Sequence, residues 1–238
     1  MLDLLLPSPI AARHVERSLL ASVDDDPARP SQRLLDLSLD AIAAARHVSL
    51  DRRLSAGGDY AALWPGEHYA LLAGLVQTLE PTLVVEIGTG AGSSAIAMKP
   101  FLPPGGRIVT FDLVGWRSYP GGRLEAGDFA DGRLAQEVCD LGDPVVARRH
   151  AALLGEAELV FVDAAKDGPT ERRLLANFED VELRASPIVV FDDIRLWNML
   201  AIWRELRRPK LDLTSFGHWS GTGLVDWQAA GGPLREGA

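Results

Sequence analysis

The chain has 238 residues, a length that suits one or two domains. Apolar residues make up 47%, charged residues 24% and aromatic residues 7%, the proportions of a globular protein with a substantial core. The formal charge is -9, from 24 Lys and Arg against 33 Asp and Glu. Such a chain is a poor candidate for gripping a phosphate backbone, so no nucleic-acid partner is expected. One cysteine, Cys139, excludes an internal disulfide and a cysteine-rich zinc site and fits a reducing compartment. No apolar run approaches the roughly 18 residues of a membrane helix. Asp3 interrupts the opening MLDLLLPSP and no basic stretch precedes it, so no signal peptide and no membrane partner are expected, and a cytoplasmic location is the default.

Residues 1–60 are rich in Ala, Leu and Arg. Helical spacing covers 10–21 and, after the breaker DDDPARP, 31–48, with Leu34, Leu35, Leu37, Leu39, Ile42 and Ala45 apolar and Ser31 as N-cap. These predict a helical extension that packs on a main domain or on a second copy, with a homodimer as the expected assembly. The main domain is expected over 61–230. A helix over 69–79 ends before Pro81. Short apolar runs follow at 83–87, 107–111, 159–162 and 188–191, and a weaker one at 134–139. Near-continuous apolar runs of this length predict strands buried on both faces, hence a parallel sheet. Helices are predicted between them at 93–98, at 145–154 behind the Asp143-Pro144 cap, at 170–178 and at 196–208. LDLTSF and GLVDW read as two last strands joined by a Gly/Ser/Thr turn. The expected fold is α/β: a doubly wound, mostly parallel seven-stranded Rossmann-like sheet with an antiparallel last strand.

Ligands of such sheets bind outside the carboxyl ends of the strands. The first strand there runs into Glu86-Ile87-Gly88-Thr89-Gly90-Ala91-Gly92-Ser93-Ser94. The glycines let the backbone turn tightly and approach a ligand. A dinucleotide fingerprint is G-x-G-x-x-G, and Ser93 stands where its third glycine would fall. Glu86 would repel a pyrophosphate but suits a cationic or hydroxyl-rich ligand. S-adenosylmethionine offers both an ammonium and a ribose diol, and Asp112, ending the second strand, is placed to accept from ribose hydroxyls. The alternative is an ordinary tight turn with Glu86 as a cap. VVEIGTGAGSS followed by IVTFD resembles the first two motifs of class I S-adenosylmethionine-dependent methyltransferases. The resemblance implies cofactor binding through Glu86, Gly88, Thr89, Gly90, Ser94, Asp112 and Asp163.

Asp163 and Asp192-Asp193 end two strands expected to be adjacent. Three carboxylates in one crevice raise each other's pKa and disfavour folding unless a cation compensates. All-oxygen ligands favour Mg²⁺ or another hard divalent cation. Lys166, three residues after Asp163, would set an amine beside it, and a nearby cation makes an amine a better base. Equally, Asp192 or Asp193 could simply cap a helix starting near Leu196, and Lys166 could be a solvated loop lysine. FVDAAKDG resembles the D-x-x-K segment of metal-dependent O-methyltransferases of the catechol and caffeoyl-CoA type, and FDDIRLW is similar to their D-N-x-x-W segment. The resemblance implies Asp163, Asp192 and Asp193 as metal ligands and Lys166 as base, with Asp163 and Lys166 the catalytic pair. Asp193 stands where that type has Asn, and paired Asp is similar to Mg²⁺-dependent sugar O-methyltransferases of macrolide biosynthesis. The implied reaction is methyl transfer to a hydroxyl of a small molecule. Alternatives are a metal-independent methyltransferase, a non-catalytic cofactor-binding protein and, less favoured, a nicotinamide oxidoreductase.

Two further segments carry open readings. Trp64-Pro65-Gly66-Glu67-His68 resembles the stretch that covers the cofactor in these enzymes, yet it also suits a plain helix start. The loop Phe216-Gly217-His218-Trp219-Ser220-Gly221-Thr222-Gly223 would face the crevice if the sixth strand runs parallel to the fourth and fifth. It would then cover an acceptor, with Trp197 as a second wall. Otherwise it is a hairpin connection with a solvent-exposed histidine.

Overall fold

The computed structural model describes residues 28–56 and 67–227. The helix expected over 10–21, the Trp64-Pro65-Gly66 stretch and the last residues from 228 lie outside them. The first described helix, α1 (Gln32–Ala45), starts where Ser31 accepts a hydrogen bond from Leu34 N–H, the cap expected from the sequence. Helix α2 (Arg52–Ala56) is short, and α3 (His68–Leu79) follows. α1 lies directly on α3: a Cβ at Gly74 would come within 2.4 Å of the Ala41 carbonyl oxygen. α1 is also tied to the last strand, through Ser31 Oγ and the Arg33 guanidinium, which donate to Asp226 at 2.6 and 2.8 Å. The described part of the N-terminal segment is therefore packed into the body, with Leu34 and Ala41 wholly buried.

The strands are β1 (Leu83–Ile87), β2 (Arg107–Asp112), β3 (Leu134–Val138), β4 (Leu159–Val162), β5 (Ile188–Asp192), β6 (Lys210–Asp212) and β7 (Thr222–Asp226). They form one seven-stranded sheet in the order β3-β2-β1-β4-β5-β7-β6. The first five are mutually parallel, and β7 is antiparallel to both β5 and β6. β6 therefore runs in the same direction as β4 and β5. The expected doubly wound sheet with an antiparallel last strand is the observed one. Every residue of β1, β4, β5 and β7 is buried, including the polar Glu86, Asp192, Thr222 and Asp226 that stand among their apolar residues, whereas edge strand β3 is largely exposed.

Alternate strand residues serve two cores. Val85, Ile87, Phe111, Val162 and Phe191 face α6 (Ala151–Glu156), α7 (Pro169–Val181) and α8 (Met199–Glu205) through Leu154, Phe178 and Trp203. Val84, Ile108, Phe161 and Val190 face α1, α3 and α4 (Ser93–Met98) through Leu34, Leu71, Leu75 and Met98. Two predicted helices differ from expectation. The one over 145–154 is split into α5 (Pro144–Arg149) and α6 at His150, whose backbone leaves the helical region at φ -97, ψ 8. Its half-buried ring packs edge-on against the buried Phe111, so a ring contact accompanies the break. The helix expected from 196 begins only at Met199, because Asp193 and Trp197 adopt left-handed φ values of 57° and 46°. No helix among the described residues is long and apolar enough to cross a membrane.

Candidate functional site

The registers Ile87↔Phe111, Ile87↔Val162 and Val162↔Phe191 bring the carboxyl ends of β2, β1, β4 and β5 level. The chain order reverses at β1, with β2 on one side and β4 on the other, which opens a crevice there. Gly88 sits in it with φ +100°, and a Cβ would lie 2.0 Å from the Asp163 carbonyl oxygen. Only glycine lets β1 leave the sheet past Asp163. Asp112 holds the loop: Gly90 N–H donates to Oδ2 at 2.9 Å and Val114 N–H to Oδ1 at 3.0 Å. Each of its oxygens keeps a free lone pair. Asp112, Gly88, Gly90, Tyr119, Asp163 and Lys166 are among the residues lining a cavity of about 460 Å³.

Glu86, Thr89 and Ser94 lie beneath this loop and do not line the cavity. Ser94 Oγ donates to Glu86 Oε1, while Oε2 is buried without a partner. Burial pushes the Glu86 carboxyl up to about 7, an effect the Ser94 hydrogen bond only partly offsets. Thr89 Oγ1 is shared with Thr110 Oγ1 at 2.8 Å and with Gln136 Nε2 at 2.9 Å. These three residues shape the turn from below, whereas Gly88, Gly90 and Asp112 line the cavity.

Across the crevice, one carboxylate oxygen from each of Asp163, Asp192 and Asp193 falls within 4.8 Å of the others. Lys166 bonds to Asp163 and stands 3.1 Å from Asp193 Oδ2 and 3.9 Å from Asp192 Oδ2. Lys166 is buried, not a solvated loop lysine. Burial works against its charge, but the three carboxylates outweigh it and raise the pKa of the amine. Burial and Asp192 raise Asp163, and Lys166 partly reverses this. Neither Asp192 nor Asp193 caps the following helix, whose N-cap is Asn198. Lys166 and Asp193 both hold left-handed backbones, at φ 60° and 57°. Buried Glu171 fixes the first of these by accepting from Lys166 N–H and Gly168 N–H, each at 2.8 Å. Asn198 Nδ2 donates to the Asp167 carbonyl and so links the two loops. Strained non-glycine backbones of this kind collect at functional sites.

Two histidines complete the cluster. His218 Nε2 meets Asp192 Oδ1 at 2.6 Å, and its Nδ1 meets Ser220 Oγ at 2.6 Å. His68, at the start of α3, places Nε2 3.9 Å from the same Asp192 Oδ1 and Nδ1 3.3 Å from Thr222 Oγ1. Burial lowers His68 to about 3, and His218 adds to that. For His218, burial disfavours the charged ring, but the bond to Asp192 and the surrounding carboxylates raise the pKa overall. The loop from β6 to β7 thus emerges at the carboxylate end, because β6 is parallel to β4 and β5. His218 is buried, not exposed, while Trp219 and Trp197 are 58% and 60% exposed and do not line the cavity. The sequence pattern missed Glu171, and although it singled out the loop that holds His218 it tied neither histidine to Asp192. His68 carried one hint, lying in a stretch already singled out, but nothing linear tied it to residue 192.

Neither the protein-family models nor the curated proteins contain a match to this chain. Solved structures do resemble it. The O-methyltransferase TomG from Streptomyces achromogenes, in complex with S-adenosylmethionine, is 21% identical with a TM-score of 0.51, over 79% of this chain and 94% of that one. The SAH-bound methyltransferase PaMTH1 from Podospora anserina is 17% identical with a TM-score of 0.51, over 94% and 98%. MycE from the mycinamycin pathway, in complex with Mg and SAH, is 21% identical with a TM-score of 0.38, and this chain spans only 28% of its length. The first two likenesses establish the fold, a Rossmann-like one shared with these two methyltransferases.

Proposed function

We propose that this protein transfers the methyl group of S-adenosylmethionine to a hydroxyl of a small molecule, with a divalent cation such as Mg²⁺ held by Asp163, Asp192 and Asp193. One observation carries the reading. Asp163 belongs both to the wall of the cavity beside the glycine loop and to the carboxylate cluster, so a donor in the first would lie next to a cation in the second. The donor set fits a hard cation: three carboxylates, two of them nearly buried, with oxygens within 4.8 Å. The fold supports the donor, since TomG and PaMTH1 hold S-adenosylmethionine and SAH on it.

In this reading Asp112 accepts from the ribose hydroxyls with its remaining lone pairs. Gly88 and Gly90 let the donor approach the backbone. When bound, the cation supplies positive charge that favours deprotonation of an acceptor hydroxyl. Lys166 Nζ receives that proton. Its carboxylate neighbours favour the ammonium, so Lys166 acts as base only when their charge is shared with another cation. Positioning and electrostatics then account for most of the rate.

A second reading has a specific observation behind it. The Lys166 ammonium already lies among all three carboxylates, which suits a metal-independent enzyme in which it neutralises the cluster. The test is a screen of catechols, flavonoids, hydroxycinnamates and sugars with labelled methyl donor, in EDTA and in Mg²⁺. Transfer that stops in EDTA and returns with Mg²⁺ supports the metal reading, and full transfer in EDTA replaces it with the second. Tight S-adenosylmethionine binding without transfer to any acceptor would leave a cofactor-binding protein.

A further inference from the structure

Asp192 presents two different sides. Its Oδ2 faces Lys166 at 3.9 Å, within the all-carboxylate cluster. Its Oδ1 faces two imidazoles, His218 Nε2 at 2.6 Å and His68 Nε2 at 3.9 Å. The ligand atoms of His68, Asp192 and His218 lie within 4.8 Å of one another, and all three residues are buried. The rings are not stacked: they meet at 64° with centroids 4.4 Å apart, so their Nε2 edges can converge.

The far nitrogens supply an independent observation. His218 Nδ1 is tethered to the Ser220 hydroxyl at 2.6 Å, and His68 Nδ1 to the Thr222 hydroxyl at 3.3 Å. Each hydroxyl can accept from Nδ1–H or donate to a bare Nδ1, so it orients the ring in either state; His218 Nε2, 2.6 Å from Asp192 Oδ1, donates its proton to that carboxylate, and a bound cation would take that proton's place. Metal-ligating histidines are held in this way, by a partner on the second ring nitrogen. Two imidazoles tethered at Nδ1 and aimed by Nε2 at one carboxylate oxygen are more than a packed pair. Adjacent ligands bound at roughly 2.1 Å lie about 3.0–3.4 Å apart on a shared ion, so from separations of 2.6 and 3.9 Å His218 would draw back from Asp192 Oδ1 and His68 close on it, each by roughly half an ångström.

We propose that His68, His218 and Asp192 Oδ1 form a second divalent-cation position, which takes a borderline d-block ion such as Co²⁺, Zn²⁺ or Fe²⁺. Imidazole nitrogen suits such ions better than Mg²⁺, whereas the all-oxygen side suits Mg²⁺. Asp192 then bridges a nitrogen-containing position and an oxygen position. Binding at His218 displaces any proton on Nε2 into solvent. Asp193 Oδ1, 3.9 Å from His218 Nδ1, adds negative charge that favours a dication there. The inference deepens the proposed cation role of Asp192 but does not depend on methyl transfer.

The test uses the full chain, stripped with chelator and titrated separately with Co²⁺ and Mg²⁺ by calorimetry. Expected are one Mg²⁺ per chain and one additional Co²⁺ equivalent, with ligand-field absorption in the visible. His218→Asn and His68→Gln should each weaken the additional Co²⁺ equivalent by at least about tenfold and leave Mg²⁺ affinity within about twofold. Asp193→Asn should weaken Mg²⁺ by at least about tenfold and the additional Co²⁺ equivalent by less. Because a buried histidine variant can fail to fold, zinc-edge X-ray absorption on the wild-type protein gives a second readout, in which imidazole scattering is expected. Equal Co²⁺ and Mg²⁺ stoichiometry, or Zn²⁺ with oxygen ligands only, overturns the proposal. Mg²⁺ failing to bind while Co²⁺ binds through imidazole removes the all-carboxylate position and leaves this one standing.

Discussion

The two sides of the crevice are built by different physics. On the β1–β2 side the polar groups serve the backbone: Asp112 accepts two N–H donors, and Thr89, Thr110 and Gln136 satisfy one another beneath the loop. Its one deeply buried acid, Glu86, is pushed toward the neutral form. On the β4–β5–β7 side, three aspartates, Lys166 and His218 crowd into a few ångströms and satisfy each other by charge, with His68, kept neutral by burial, beside them. The first side is a shape held by hydrogen bonds within a short stretch of chain. The second is an electrostatic balance among segments far apart in sequence, and it is the side able to respond to a cation. Local backbone geometry makes the proposed donor site, and long-range convergence makes the proposed cation site.

The largest effect should come from unbalancing the charged side. Asp192→Asn removes the carboxylate that both clusters share, and methyl transfer, measured by initial rates with labelled donor, should fall at least about 100-fold. Under the proposed cation role, Mg²⁺ should raise the melting temperature of the wild type and not that of this variant. Gly88→Ala tests whether the sides are separate at all. The added Cβ strikes the Asp163 carbonyl, so a change on the neutral side should damage the charged one. A loss of about 3 kcal/mol is expected by denaturant titration, from strain and overpacking together.

Asp112→Ala should act on the neutral side alone. S-adenosylmethionine binding should weaken by roughly 1.5–3 kcal/mol, while Mg²⁺ affinity, read by calorimetry, stays unchanged. A parallel loss of both would show that the sides are coupled through the ligand site. Glu86→Gln gives a smaller, pH-dependent effect. The folded carboxyl sits near 7 against an ordinary 4.5, so the neutral form favours the fold. That contribution is complete below about pH 4.5 and is lost as the pH rises through about 7. The glutamine variant should match wild type at the acid end and exceed it in melting temperature above about pH 7. Trp219→Ala should do least: stability within about 0.5 kcal/mol, a raised KM for the acceptor and no change for the donor. If both KM values rise, or neither moves, the β6–β7 loop is structural and the acceptor wall lies elsewhere.

What the sequence determined by itself is whatever short-range chemistry controls. The runs at Leu83–Ile87 and Leu159–Val162 stand as strands with the expected bounds, because a strand buried on both faces is apolar at nearly every position, Glu86 apart, and ends where polar residues or glycine resume. Ser31 caps α1, and Asp143 with Pro144 opens α5, because those devices act within three residues. The glycine loop and the three aspartates were legible for the same reason: they follow strand ends, and parallel register brings strand ends together. Tertiary structure decided the rest. It set Glu86 beneath the loop, since strand alternation turns residues 84 and 86 to the α3–α4 face. It broke the predicted helices at His150 and near Trp197, where a ring contact and left-handed backbones override propensity. It brought His68, from a helix 124 residues away, and His218, from a loop, onto one oxygen of Asp192. A lone histidine has no linear signature, because its partners are chosen by which strands lie side by side. Here β7 was inserted against β5, and that pairing alone placed Thr222 opposite Asp192 and closed the cluster.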